Sequence, residues 1–216
     1  MLDNTFEVVW LVGFIAGCAV RAVGVLRVKR GWRGKPNAVT DDRTPRSDWP
    51  LLLLVFLGMQ VIPLLYVLTP WLDFADYDLP AWAGWTAGLL GAAVFAVALW
   101  LLWRSHTDLG RNWSPTLQIR EGHALVTHGV FHYIRHPMYA AHGLWAVAQV
   151  LLLRNWIAGP AFLALSLPLY LLRVPREEQM MLDHFGDEYR LYISRTGRVI
   201  PRLRKWSVTS SDGRAA

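Results

Sequence analysis

The sequence predicts an all-α polytopic membrane protein with about five transmembrane helices and a cytosolic pocket built from a loop and a C-terminal helical tail. Three observations predict it. Hydrophobic residues make up 54% of the 216-residue chain, and twelve residues are tryptophan. Apolar residues gather in four long zones, of which 6–26, 51–70 and 81–103 each supply the roughly 20 residues that a bilayer-crossing helix needs. The flanks of these zones alternate in charge, as topology requires.

The first span, 6–26, opens with Asp3 and Glu7 instead of the basic patch of a signal peptide, and reads as a mature helix. Segment 27–48 carries seven basic residues, from Arg27 to Arg46, which assigns it to the cytoplasmic side. After the second span, 51–70, segment 71–80 has Asp73, Asp76 and Asp78 and no basic residue, so it lies outside. The third span, 81–103, carries Gly84, Gly88 and Gly91 at a spacing that lets helices approach closely. Linker 104–137, with Arg104, Arg111, Arg120 and Arg135, returns inside. The zone 138–172 is broken at Arg154-Asn155 and reads as a hairpin of two short spans, 138–153 and 156–172, accommodated by neighbours or local thinning.

The tail from Arg173 onward is again basic and cytosolic, which leaves the N terminus outside. Trp49, Trp71, Trp82, Trp85, Trp103 and Trp156 fall near the span ends, where an aromatic belt forms. Two regions result: a three-span membrane region, 1–103, and a core, 104–206, made of the loop 104–137, the hairpin 138–172 and the tail 173–206. Residues 207–216 read as a disordered end. The net charge of +6 is a topology signal and does not call for nucleic acid. Cys18, the single cysteine, excludes a disulfide or a cysteine-based zinc site within the chain.

Polar residues suited to chemistry cluster on the inside. Five of the seven histidines, His106, His123, His128, His132 and His136, lie in the linker. His128, His132 and His136 are spaced four apart and would stack on one helix face. Gly129 and Pro137 interrupt that helix, and histidine-box oxygenases use many more ligands, so no metal site is assigned. In "YIRHPMY" (133–139) Pro137 suits a first helical position and Arg135 a headgroup anchor. In the tail, Pro175 likewise suits a first turn, with Glu177 and Glu178 near the positive end of the helix dipole. Arg173 and Glu177, four apart, form either a helix-face pair or, since Arg173 ends an apolar run, a boundary charge facing a cavity between helices. Met180, Met181, Leu182, Phe185, Tyr189 and Tyr192 read as one face of an amphipathic helix on the headgroups.

"HALVTHGVFHYIRHPMYAAHG" (123–143) followed by "RVPREEQMMLDHFGDEYRLYISRTGRVIP" (173–201) resembles the isoprenylcysteine carboxyl methyltransferase family and its phospholipid methyltransferase relatives, from about Gln118 to Pro201. The resemblance implies an integral membrane enzyme that uses S-adenosylmethionine. It implies cofactor contacts at Gln118, His123, Ala124, Leu125, Val126, His136, Pro137, Met138, Tyr139 and Glu177. Phe131 stands where better-known members carry tyrosine, keeping a stacking surface and losing a hydroxyl. Arg173 falls at the substrate carboxylate, which makes Arg173 and Glu177 the expected catalytic pair. No strand with a glycine-rich dinucleotide turn is visible, and "GLLGAA" lies inside a span, in keeping with that family.

The implied partners are membrane lipids and a lipophilic or prenylated substrate that enters sideways between helices. A phospholipid or a small amine or thiol is the alternative acceptor. An amine must lose a proton, to a base such as His132 or Glu178. A non-catalytic scaffold retaining the cofactor fold is the reading from another class. The preference for Arg over Lys suggests a GC-rich genome and hence a bacterial inner membrane.

Overall fold

The computed structural model describes residues 2–31, 38–45, 48–114 and 116–202; the terminal segment 207–216 lies outside them. Helix α1 covers Leu2–Gly31. Helices α2 (Asp48–Phe56) and α3 (Ile62–Leu68) are joined by one π turn at Leu57–Val61 and form a single rod. Helix α4 covers Ala81–Leu109, α5 Pro137–Leu152, α6 Ala158–Phe185 and α7 Asp187–Arg195. Strands β1 (Val39–Asp42) and β2 (Gln118–Arg120) form a small antiparallel ribbon.

Among the described residues four helices are long and apolar enough to cross a membrane: Thr5–Gly31, Asp48–Leu68, Ala81–Asn112 and Ala158–Phe185. The protein is therefore an integral membrane protein, and the first three follow the expected spans. In the hairpin the first arm has the short length expected of 138–153, and only the second departs from expectation by running past residue 172. Helix α5 has 16 residues, about 24 Å at 1.5 Å per residue, less than a hydrocarbon core of about 30 Å. Helix α6, with 28 residues, continues through Pro168 and Pro175 to Phe185. Pro175 thus opens no new helix, and Glu177 and Glu178 belong to the last turns of a span. Proline in such a helix is tolerated because neighbouring groups satisfy the freed carbonyls. The ribbon is a second departure from the all-α expectation. Its residues are too few and too polar to announce a strand, and pairing between two distant loops creates it.

Small residues set the helix contacts. Gly88 of α4 lies under the ring of Phe6, Gly91 against Leu151 and Leu152, Gly13 against Phe95, and Gly17 against Trp145. Around them Trp10, Phe95, Trp145 and Phe162 form the buried centre, with Phe95 and Trp145 4.9 Å apart. Phe6 is held edge-on by Trp85 at 5.4 Å, so it has little room to yield. Gly88→Val is expected to lower the midpoint of thermal unfolding in detergent, a loss of about 1–3 kcal/mol for an overpacked core. Gly143→Ala, with nothing within 4 Å of the added carbon, is expected to leave it unchanged.

The π turn has a local cause. Pro63, early in α3, clashes with the carbonyl four residues back and supplies no N–H. An extra residue in the preceding turn relieves that clash. Gln149, buried in α5, then donates through Nε2 to Gly58 O (3.2 Å) and Ala158 O (2.7 Å). Asn155 organises the hairpin turn. Its Oδ1 accepts from the amides of Ile157 (3.0 Å) and Ala158 (2.8 Å), and its Nδ2 donates to Leu72 O (2.7 Å) and Asp76 Oδ1 (2.8 Å). The six span-end tryptophans are all well exposed, as a belt requires.

Candidate functional site

The loop before α5 is stitched to the tail after α7. The amides of Arg135 and His136 donate to the carbonyls of Gly197 and Arg198, each at 2.9 Å, and Gly197 N donates to Tyr133 O at 3.1 Å. The loop is also tied to the end of α4. Asp108 accepts from Val130 N at 2.9 Å and pairs with Arg104 at 2.8 Å, and Asn112 Oδ1 accepts from Ala124 N at 3.1 Å. Gly129, at φ +60°, lies directly on Asp108, a place where a side chain would be both strained and obstructed. Tyr192 Oη donates to Phe131 O at 2.6 Å.

These ties enclose a cavity of about 1900 Å³. It is lined by Gln118, His123, Ala124, Leu125, Val126, Phe131, His136, Pro137, Met138 and Tyr139 from the loop and α5, and by Arg173 and Glu177 from α6. The residues to which the resemblance assigns a cofactor or substrate contact therefore all border one space. Tyr139 Oη donates to Glu177 Oε2 at 3.1 Å, and His136 Nδ1 lies 3.9 Å from Glu177 Oε1. Arg173 stands one turn before Glu177 on the same helix, buried. Gln118 is the least available of the set: its Nε2 donates to Asp42 (2.8 Å) and its Oε1 accepts from Arg120 (3.2 Å). Burial, with His184 adding to it, lowers the pKa of His123 to about 4, so its imidazole is neutral at physiological pH and able to accept a hydrogen bond.

Beneath the cavity lies a charge cluster that the sequence reading missed. Glu178, buried, accepts from Arg135 Nε at 3.1 Å, sits 3.2 Å from His136 Nε2, and pairs with Arg198. Arg135 also donates to Thr196 O at 2.6 Å. It is thus no headgroup anchor: its guanidinium turns inward to tie the loop to α6 and the tail. Glu178 in turn holds Arg198 above its ordinary pKa. The spacing of Arg135, Glu178 and Arg198 in sequence carries no signal of their meeting.

Two further expectations change. Met180 joins Leu117 and Ile119 in a buried cluster, and Tyr189 and Tyr192 are buried against the cavity. Those three side chains are covered by protein, while Met181, Leu182 and Phe185 are half-buried. His128, His132 and His136 do not stack, because a 3-10 turn at Gly129–His132 replaces the helix and Pro137 starts the next.

Residues 89–183 match the family model described as the isoprenylcysteine carboxyl methyltransferase (ICMT) family. The chain is 32% identical over 101 residues to protein-S-isoprenylcysteine O-methyltransferase of Tribolium castaneum, across 46% of this chain and 36% of that protein. It is 34% identical over 94 residues to protein-S-isoprenylcysteine O-methyltransferase B of Arabidopsis thaliana, across 43% of this chain and 48% of that protein. A solved structure of the eukaryotic intramembrane Ras methyltransferase ICMT aligns with a TM-score of 0.48 at 24% identity, over 75% of this chain and 54% of that one. The matched stretch thus spans about a third to a half of the length of these relatives.

Proposed function

We propose, on the premise that residues 89–183 match the isoprenylcysteine carboxyl methyltransferase family, that this chain is an integral membrane methyltransferase. It transfers the methyl group of S-adenosylmethionine to the carboxylate of an isoprenylcysteine-like or other lipid-tailed substrate. One observation carries the reading: a single cavity is lined by the loop 118–139 and by Arg173 and Glu177. Its volume exceeds the roughly 300–1,000 Å³ of a site for one small ligand, which leaves room for a lipid tail beside a cofactor. The core 104–206 is the catalytic unit and 1–103 its membrane frame. The charge pattern supports an outside N terminus with loop and tail cytosolic, and the Arg-rich composition a bacterial inner membrane.

The residues present fit this cofactor. Glu177, at the cavity wall and bonded to Tyr139, offers a carboxylate to its ammonium or ribose. The neutral His123 and the loop amides offer hydrogen bonds to its adenine, and the Phe131 ring a stacking face. When bound, S-adenosylmethionine supplies a sulfonium methyl, so that a carboxylate oxygen forms the new O–C bond as the S–C bond breaks. A carboxylate is already the anion at neutral pH, and the protein's task is alignment. Arg173 orients it through paired hydrogen bonds, while the apolar walls exclude water. An amine acceptor fits less well, because Glu178 is held by two guanidiniums and His132 is exposed.

Calorimetric titration of detergent-purified protein with S-adenosylmethionine tests the cofactor site. Glu177→Ala is expected to weaken binding at least tenfold, about 1.4 kcal/mol for a lost charged contact, while the protein stays folded. Unchanged affinity would place the cofactor elsewhere.

A further inference from the structure

The cavity wall has an excess of positive charge that the proposed reaction does not account for. Its arginines are Arg21, Arg104, Arg135 and Arg173, and its only acidic residue among those described is Glu177. Arg104 is paired with Asp108 and Arg135 with Glu178. Arg21 makes no hydrogen bond or ion pair with a described residue; its electrostatic partners are Cys18 and the like-charged Arg173. It lies within a membrane span, where an ionisable side chain is expensive and marks a functional position.

Packing fixes where Arg21 stands. Gly17, Arg21 and Gly24 follow one another on one face of α1 at i, i+4 and i+7. Gly17 rests on Trp145 of α5 and Gly24 on His106 of α4, so the α1 backbone is pressed against both helices on either side of Arg21. Its guanidinium is within electrostatic reach of His106 and His142 as well as Arg173. His142 is five residues into α5, about 7.5 Å deeper than Pro137. Arg21 therefore borders the cavity beside α4 and α5, within electrostatic reach of the proposed acceptor residue Arg173.

We infer that Arg21 is a specificity residue that binds a second acidic group on the substrate, so that the preferred acceptor is a lipid-tailed molecule with two negative charges near the methylated carboxylate. This rests on the proposed methyl transfer for the identity of the first acid. A cation within a span is costly without a counterion. Arg173 is already assigned to the methylated carboxylate, so a further acidic group on the acceptor is what neutralises Arg21.

The test compares two acceptors with the same tail, one a thioether monocarboxylate and one carrying an adjacent second carboxylate. Equilibrium binding and methyl transfer are measured for wild type, Arg21→Gln and Arg21→Lys in lipid nanodiscs. Wild type is expected to bind the diacid at least tenfold tighter than the monoacid. Arg21→Gln is expected to cost diacid binding at least tenfold more than it costs monoacid binding, with affinity for S-adenosylmethionine retained, and Arg21→Lys to restore most of the preference. Equal affinity of wild type for both acids, or equal losses on both in Arg21→Gln, overturns the inference. Should Arg21→Gln fail to fold, the wild-type preference and Arg21→Lys decide. Methyl transfer without a diacid preference removes this inference alone, whereas a diacid preference without any methyl transfer removes the proposed reaction and leaves the dianion site.

Discussion

Glu178→Ala is expected to destabilise the packing of the loop before α5 against α6 and the tail by about 3–5 kcal/mol, the cost of removing one partner from a buried ion pair. The expectation follows from what Glu178 holds. Arg135 is nearly as buried as the carboxylate it meets, with side-chain exposures of 9% and 9%. Without Glu178 a guanidinium remains inside with its carbonyl contact to Thr196 and no countercharge. His136 loses the partner of its Nε2. The Arg198 arm adds less, because that side chain is 47% exposed and water can take over. Thermal unfolding in detergent, with protease sensitivity of the tail as a second reading, checks the result. Glu178→Gln, which keeps the shape and an acceptor oxygen, should recover part of the loss. A Glu178→Ala protein with a wild-type unfolding midpoint would mean the cluster does not hold the loop and the tail together.

That cluster marks the boundary of what the sequence could reveal. The first three spans were legible because twenty-residue apolar runs have one physical outcome in a membrane. The small-residue face at Gly84, Gly88 and Gly91 was legible for a similar reason, since helical spacing alone brings those positions together. Arg135, Glu178 and Arg198 are different. Each has an innocent local reading, as a headgroup anchor, an N-terminal helix charge or a basic tail residue, and only the meeting of three distant segments gives them a common role. Pro175 misled for a related reason. Proline usually starts helices, but inside a membrane rod the surrounding helices satisfy the carbonyl it frees. Arg21 was hidden by the hydrophobic run around it, where a single charge hardly changes the reading of a span.

The largest effect on activity is expected at Arg173. If it grips the acceptor carboxylate, Arg173→Gln should lower kcat/KM by about 10²–10³-fold, roughly 3–4 kcal/mol, the range for removing an aligned charged donor from a site closed to water. Affinity for S-adenosylmethionine should change less than in Glu177→Ala, because the proposed cofactor contacts are the loop residues and Glu177, which all remain in place at the cavity wall. Arg173→Lys tests the geometry: a lysine keeps the charge but presents a point donor instead of a planar fork, so it should restore only a fraction of the rate. Radiolabel transfer to a lipid-tailed carboxylate, with calorimetry on the same preparations, separates the two functions. Glu177→Ala should behave in the opposite way, losing cofactor affinity first and rate as a consequence. A pair of variants that fail in opposite columns is what a two-ligand cavity requires. Arg173→Gln turning over within threefold of wild type would instead place the carboxylate at another cation, and Arg21 would be the next to replace.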